Sequence, residues 1–214
     1  MEKKSYPKVF MWMFIGLLVT FLTGFFVSTN ENMLMSIFSG GAYFILVLLE
    51  LGVVIFLSAR IHKMSSATAK ICFIIYSFLT GLTLSSIFVV YKLESIMLIF
   101  LVAAFLFGVF AIIGYKTKLD LTRFGTILLM MLLGIILCTV INIFLGNETF
   151  DIIICIISII VFLGFVAFDI QKIKRLENSM IDRENLAIIG ALELYLDFIN
   201  IFLDLLRLFG DSRD

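Results

Sequence analysis

Long apolar runs alternate with short polar loops along most of this chain. Each run has about 20 residues, which is the length that an α-helix needs to cross about 30 Å of hydrocarbon. Strands of a membrane barrel would be roughly ten residues long with alternating polarity, whereas these runs are continuous in Leu, Ile and Phe. The pattern predicts seven transmembrane helices, near residues 9–29, 37–59, 71–91, 96–115, 121–145, 152–170 and 186–209.

Composition supports an all-α integral membrane protein. Hydrophobic residues make up 62% of the chain and charged residues 15%, and the mean hydropathy is +1.18, far from the values of soluble domains. Three lysines precede the first run, as in a secretory signal, but the run exceeds the usual 7–15 residues and no A-x-A-like cleavage site follows. With no internal repeat or linker, residues 1–214 are expected to form a single seven-span domain.

Basic residues are distributed unevenly between the two sides that seven spans create. Lysine and arginine accumulate in short cytoplasmic loops, so the side that carries most of them is expected to be cytoplasmic. That side holds Lys3, Lys4, Lys8, Arg60, Lys63, Lys70, Lys116, Lys118, Arg123, Lys172, Lys174, Arg175 and Arg183. The opposite side has only Lys92, Arg207 and Arg213. The sequence therefore predicts a cytoplasmic N-terminus and a C-terminus outside.

Several kinds of function are disfavoured by what the sequence contains. His62 is the only histidine, so neither a His-rich metal site nor a Ser-His-Asp triad can be built, and we expect no enzyme. Cys72, Cys138 and Cys155 lie inside predicted spans without C-x-x-C spacing, which is typical of buried reduced thiols. A net charge of zero and the absence of a phosphate-binding loop argue against a nucleic-acid partner or an organic cofactor.

Glycines within and between the runs favour close packing of helices over ligand binding. The positions concerned are Gly40, Gly41, Gly108, Gly114, Gly134 and Gly164.

The last run carries a stripe of polar residues. Its members are Glu193, Asp197, Asn200, Asp204 and Arg207. Their steps of four, three, four and three keep them within roughly 40° of one line on an α-helix. Charged groups in lipid almost always face the bundle interior or a water-filled cavity. The last helix is therefore expected to lie inside the bundle with this stripe along a pathway.

The members of the stripe have different local explanations. Asp204 and Arg207 are three residues apart near the helix end, and we favour a simple pair between them. Glu193 can be a first-turn acid that complements the helix dipole. Asp197 has no cation within one helical turn on its own helix, so it needs a partner from another segment.

Two acids in other spans are candidates for lining the same route as Asp197. Asp169 lies at the inner end of the sixth span, and Glu50 lies near mid-depth in the second span, ten residues before Arg60. Two facing carboxylates in a low dielectric cannot both ionise cheaply, so they titrate as a coupled pair that can sense protons. When ionised, the same oxygens suit a hard cation such as Ca²⁺, which takes carboxylate and carbonyl ligands.

At these residues the chain resembles the Bax inhibitor family of seven-span membrane proteins. The resemblance is carried by GLTLSSIF (81–88), GYKTKLDLTRFG (114–125), NIF (142–144), FDIQKIK (168–174), LYLDFINIF and LLRLFG (194–210). It implies six helices around a central seventh and a pH-sensitive calcium leak. The family's paired aspartates correspond to Asp169 and Asp197, and its basic latch to Arg60. Two departures are Ser86, where the family often has proline, and the charged Asp204.

The leading hypothesis is thus a pH-regulated, calcium-permeable leak channel in the cell membrane of a bacterium, with calcium ions and protons as its partners. A non-conducting regulator that binds another membrane protein, such as a protease or death regulator, is the alternative, and a proton-coupled exchanger is the third. Two site residues also have structural explanations. Glu50 can be hydrogen-bonded to a neighbouring helix, and Arg60 can be an anchor for lipid headgroups.

Overall fold

The computed structural model describes residues 5–60, 64–177 and 183–213. In this part of the chain the extended elements amount to one isolated bridge between Tyr91 and Ser212, and the regular structure is otherwise helical. The α-helices are α1 (Tyr6–Ser28), α2 (Glu31–Phe38), α3 (Ala42–Arg60), α4 (Ser66–Thr83), α5 (Ile87–Val90), α6 (Leu93–Lys116), α7 (Thr122–Leu145), α8 (Glu148–Leu176) and α9 (Arg183–Phe209).

Seven helical segments of the described chain have the length and apolar composition of membrane spans. They are α1, α3, α4 with α5, α6, α7, α8 and α9. The third of them is interrupted by a 3₁₀ turn at Leu84–Ser86, in which the Ser85 hydroxyl donates to the Leu82 carbonyl (2.7 Å). The helix therefore tightens at the GLTLSSIF block even though Ser86 stands where proline is frequent in the family. The prediction of an all-α membrane protein with seven spans is confirmed.

The second span begins later than predicted. Glu31–Phe38 form the separate helix α2, which is capped by the Asn30 side chain, an acceptor for the backbone amides of Asn32 and Met33. Gly40 and Gly41 follow with φ values of 63° and 83°, in the left-handed region that glycine adopts without strain. Because α2 is itself apolar, hydropathy alone merged its end with the next helix. Only the glycine pair marks the break.

The sixth span is longer than predicted. It was expected to end at residue 170, but α8 continues to Leu176. The added residues include Gln171 and Ile173, which are buried, and Lys174 and Arg175, which are exposed. The polar residues of this amphipathic extension lower the local hydropathy, so hydropathy ends the span at a point where the helix itself continues.

The described residues form two compact units. Unit 1 contains α1 to α5 and α9 up to Tyr195, and unit 2 contains α6, α7, α8 and α9 from Leu196. Of the seven spans α9 is the most enclosed, with 72% of its most apolar stretch buried, against 6% to 44% for the others. The arrangement of six helices around α9 and the single domain over the whole chain stay predictions.

In unit 1, α1 packs against α4 at small residues. A Cβ atom added to Gly81 would lie 2.7 Å from the Thr23 side chain and 2.8 Å from the Thr20 carbonyl. At the other end of α1, Lys8 forms an ion pair with Glu184 in the first turn of α9. Lys70 on α4 contacts the same carboxylate at 2.6 Å, so Glu184 joins three helices.

In unit 2, glycines bring helices close to α8. A Cβ atom on Gly114 of α6 would overlap the Ala167 backbone, and one on Gly164 of α8 would lie 2.9 Å from the end of the Leu128 side chain. The expected packing role is therefore confirmed for these two. It is wrong for Gly108 and Gly134, because no heavy atom of the described chain lies within 4 Å of their added Cβ atoms. A Cβ atom on either of those two glycines would meet open space, and Gly40 and Gly41 serve a turn.

Candidate functional site

The polar stripe of α9 runs through the most buried helix of the protein. Asp197 is only 5% exposed, and Glu193, Asn200 and Asp204 are partly buried. The Asn200 amide donates to the Leu196 carbonyl of its own helix (2.8 Å). Arg207, near the end of α9, is exposed. Burial of the stripe thus deepens from its last member towards Asp197.

The end of the stripe in unit 2 faces the beginning of α8. Arg207 donates to the Asp151 carboxylate (3.3 Å) and lies 3.8 Å from the Cys155 sulfur. Asp204 lies within hydrogen-bonding reach of Ser158 and Cys155, with the Arg207 charge nearby. The expected local pair of Asp204 and Arg207 is therefore part of a larger cluster, because the ion-pair partner of Arg207 comes from α8.

The two aspartates implied by the resemblance lie on these same helices. Asp169 on α8 is 6% exposed, and it belongs to unit 2 together with Asp197. The beginning of α8 meets the end of α9, so the two helices run antiparallel. Ser158 and Asp204 lie at the same level. Asp169 is eleven residues from Ser158 on α8 and Asp197 is seven residues from Asp204 on α9, so the two aspartates differ by about four residues, or roughly 6 Å, along the axis. Two buried carboxyl groups thus lie on neighbouring antiparallel helices, about one helical turn apart along the axis.

Glu50 is held by a neighbouring helix in unit 1. The Thr80 and Thr83 hydroxyls of α4 donate to its two carboxylate oxygens, at 2.8 Å and 2.7 Å. Each hydroxyl also lies within hydrogen-bonding distance of a carbonyl of α4. The Thr80 hydroxyl is 3.0 Å from the Tyr76 carbonyl, and the Thr83 hydroxyl is 3.1 Å from the Leu79 carbonyl. A hydroxyl has one proton, and an ionised carboxylate only accepts, so both protons point to Glu50 when it is charged.

A second polar network lies beside Glu50 in unit 1. The Tyr195 hydroxyl is 2.6 Å from the Thr20 hydroxyl, which is also 2.9 Å from the Ser77 carbonyl. The ring of Tyr195 packs edge-on against Phe73 and Tyr76, with centroids 5.7 Å and 5.9 Å apart. The two hydroxyl groups share a hydrogen bond in which either oxygen can be the donor. This network ties α9 to α1 and α4.

The whole chain matches one protein family. The family described as Inhibitor of apoptosis-promoting Bax1 matches residues 2–214. The chain belongs to the Bax inhibitor family. It is 42% identical over 212 residues to the inner membrane protein YbhL of Escherichia coli, covering 96% of this chain and 91% of that protein. It is 38% identical over 218 residues to an uncharacterized protein of Borreliella burgdorferi, covering 100% and 94%.

Further relatives are also bacterial. Uncharacterized protein RP147 of Rickettsia prowazekii is 34% identical over 211 residues, which cover 97% of this chain and 89% of that protein. Together with the seven apolar helices, these findings make the chain an integral, multi-pass membrane protein of the Bax inhibitor family. The resemblance predicted from the sequence is confirmed, and so is the membrane location.

The Bax inhibitor blocks quoted from the sequence fall at particular points of the site. FDIQKIK carries the buried Asp169, and LYLDFINIF carries Tyr195 and Asp197. Arg60, the predicted latch, is the last residue of α3 and is exposed. It forms no ion pair among residues 5–60, 64–177 and 183–213. His62, two residues on, lies outside the described residues.

Sequence reasoning missed the hydroxyl groups of the site. Thr20, Ser77, Thr80 and Thr83 look like ordinary small polar residues in apolar runs, and only the structure shows which acceptors they meet. The i, i+3 spacing of Thr80 and Thr83 was the one available signal of a shared partner. Within the described chain, no group of three or more His, Cys, Asp and Glu could hold a metal ion. A calcium contact of Asp169 and Asp197 stays a prediction.

Proposed function

We propose that this Bax inhibitor family member is a pH-sensitive, calcium-permeable leak channel whose conduction depends on Asp169 and Asp197. The observation that carries the proposal is the burial of two carboxyl groups, 6% and 5% exposed, on neighbouring helices of unit 2. Keeping acids inside a membrane protein costs free energy, and such groups commonly belong to ion or proton pathways.

Coupled ionisation supplies the pH sensitivity. Two carboxylates that share a site in low dielectric exchange protons as a unit, so a small pH change alters the charge of the whole pair. With both groups ionised, their oxygens can replace part of the hydration shell of a passing Ca²⁺ ion. Glu50 lies in unit 1 with its carboxylate held by Thr80 and Thr83, and its mid-span position in the sequence makes it a further carboxylate on which conduction is proposed to depend.

Calcium flux into proteoliposomes that contain only this protein, measured across pH, tests the proposal. We expect flux that changes with pH in the wild type and a flat pH profile in Asp169→Asn and Asp197→Asn. Glu31→Gln is the matched control, because Glu31 is an exposed first-turn acid of α2. An unchanged profile in both aspartate variants would exclude the pair as the sensor.

Arg60 is proposed as a latch that bonds one carboxylate of the pair through its planar guanidinium. Its charge persists at every accessible pH, so the switch has to lie in the aspartate. Arg60→Ala and Arg60→Lys should both change the leak, and Arg60→Ala with Asp169→Asn should add less than the sum of the two single effects. Strict additivity, with wild-type behaviour of Arg60→Lys, would reduce Arg60 to a headgroup anchor.

A non-conducting regulator is the competing function, and one observation favours it. Glu50 is bonded to α4 in the manner expected of an acid that holds helices together. Under the leak hypothesis, Glu50→Gln should lower calcium flux more than Glu193→Gln, because a mid-span carboxylate replaces lost hydration. A regulator gives no flux in purified vesicles, and a proton-coupled exchanger gives flux only with an opposing proton gradient.

A further inference from the structure

Two of the family sequence blocks form one structural unit in the protein. GYKTKLDLTRFG spans the end of α6, the loop 117–121 and the start of α7, and FDIQKIK lies on α8. A Cβ atom on Gly114 would lie 2.3 Å from the Ala167 carbonyl oxygen, and one on Gly125 would lie 2.5 Å from the Phe168 ring. α6 and α7 therefore both press on α8 immediately before Asp169.

Gln171 binds the backbone of the loop between those helices. Its side chain is 7% exposed, its amide nitrogen donates to the Leu119 carbonyl (2.8 Å), and its amide oxygen accepts from the Leu121 amide (2.9 Å). Backbone groups outside a helix lack the partners that regular structure provides, and a carboxamide supplies one donor and one acceptor. The Gln171 side chain thus supplies two hydrogen bonds to the loop backbone, as a neighbouring strand would.

The next turn of α8 completes the attachment. Arg175 donates to the Gln171 amide oxygen and the Thr122 hydroxyl, and it forms an ion pair with Asp120 (2.8 Å). Lys174 donates to the Tyr115 carbonyl (2.9 Å) with its ammonium 4.6 Å from the centroid of the Tyr115 ring. Side chains of three α8 residues, Gln171, Lys174 and Arg175, therefore contact the loop and both of the helix ends that flank it.

This attachment fixes the position of α8 at the aspartate. Gln171 follows Asp169 by two residues, or about 200° around the helix, so the loop and the carboxyl group lie on opposite sides. Rotation or sliding of this segment would break both hydrogen bonds of Gln171. We propose that Gln171 is a positioning residue for Asp169, which it holds in place by clasping the 117–121 loop. The consequence for conduction rests on the proposed leak function.

Substitutions of Gln171 separate its two bonds. Gln171→Leu removes the hydrogen bonds to Leu119 and Leu121 with a side chain of similar size. Gln171→Glu keeps the acceptor for Leu121 and Arg175 but loses the donor to Leu119. Asn142→Leu is the matched control, because the Asn142 amide oxygen accepts from the backbone of Asn147 (3.2 Å), a bond of the same kind at the other end of α7.

Two readouts test the proposal without calcium. Amide hydrogen exchange at Leu121 should quicken by about fivefold or more in Gln171→Leu. In a background without Cys72, Cys138 and Cys155, the rate at which a small thiol reagent modifies Asp169→Cys should rise by about threefold or more when Gln171→Leu is added. Gln171→Glu should fall between wild type and Gln171→Leu in both, and Asn142→Leu should match wild type.

Each outcome decides the proposal. Faster exchange at Leu121 with an unchanged modification rate would show that the loop is clasped but Asp169 is not positioned by it. Unchanged hydrogen exchange at Leu121 in Gln171→Leu would show that Gln171 does not hold the loop. If Gln171→Leu does not fold, Gln171→Glu, which loses only the bond to Leu119, and Arg175→Gln, which loses the ion pair with Asp120, provide milder versions of the same comparison.

Calcium flux in vesicles distinguishes this proposal from the leak hypothesis. If the wild type conducts, Gln171→Leu should raise its resting flux by about threefold or more, with Gln171→Glu between the two, because a freed segment of α8 opens the route beside Asp169. Flux equal to wild type, together with an unchanged modification rate of Asp169→Cys, would overturn the positioning role. A wild type without flux, but with altered modification of Asp169→Cys, would reject the leak and retain the positioning role.

Discussion

Glu50 receives hydrogen bonds from two threonines of α4, and each threonine oxygen is also close to a carbonyl of its own helix. Either protonation state of the carboxyl group can then be satisfied, because each hydroxyl proton can turn to Glu50 or to the backbone. The Thr20 hydroxyl likewise lies near both the Tyr195 hydroxyl and backbone carbonyls, so its proton also has more than one acceptor. At the scale of single residues, hydroxyl groups supply the hydrogen-bond partners of Glu50 and Tyr195 inside unit 1.

The Glu50 bonds predict a measurable coupling. Glu50→Gln should lower the free energy of unfolding in detergent by about 1–3 kcal/mol, since hydrogen bonds to a charged group are lost or reversed. Thr83→Val should cost less once Glu50→Gln is present, with a coupling of about 1 kcal/mol in the double-mutant cycle. Glu31→Gln, an exposed acid, serves as control. A coupling near zero would mean that the observed Thr83 contact contributes nothing to stability.

Asp120 provides a pH-dependent test of the loop. The hydroxyl and backbone amide of Thr122, with the Arg175 charge nearby, hold the pKa of Asp120 below its usual value. A carboxyl group with a lowered pKa stabilises the folded loop above its ordinary pKa, near 3.9, and loses that contribution as the pH falls through the lowered value. Hydrogen exchange at Thr122 should therefore be constant near neutral pH and, after correction for the intrinsic rate, quicken in acid. Asp120→Asn should abolish this acid dependence.

At the scale of helices, contacts in unit 2 depend on where side chains are missing. Gly114 and Gly125 let α6 and α7 approach α8 on either side of the loop that Gln171 clasps. Sequence reasoning gave the packing role to several glycines equally, because nothing in a glycine letter shows which face of its helix meets a neighbour. It also merged α2 with α3 by hydropathy and ended α8 too early, since its last turns are amphipathic.

Gly114→Ala tests the helix contact. The added methyl group would meet the Ala167 backbone, which cannot turn aside as a flexible side chain can, so α6 and α8 must separate. We expect a loss of about 1–3 kcal/mol in unfolding free energy, typical of overpacking. Gly108→Ala, on the same helix, meets no atom within 4 Å among the described residues and should be neutral or slightly stabilising. Equal effects of the two substitutions would contradict the close contact.

At the scale of the molecule, the number of spans, the membrane class and the family could be predicted from the sequence. Continuous apolar runs of about 20 residues leave few alternatives to membrane helices, and the blocks around Asp169 and Asp197 carry the family. The partners of Glu50, Gln171 and Arg207 could not be predicted, because each lies on another helix and depends on rotation and register. Hydropathy contains neither quantity.

The side of the membrane on which each end lies is the largest-scale prediction still to be measured. All basic residues except Lys92, Arg207 and Arg213 fall on the predicted cytoplasmic side, together with the 117–121 loop. Three spans separate that loop from the C-terminal residues, so the two should be reached from opposite sides.

Ser212 and Lys118 are both exposed and suit labelling. In a cysteine-free background, Ser212→Cys should react with a membrane-impermeant thiol reagent on intact cells, and Lys118→Cys only after permeabilisation. The reverse pattern would invert the orientation. Reaction of both on intact cells would show that an even number of spans lies between them, against the seven-helix count.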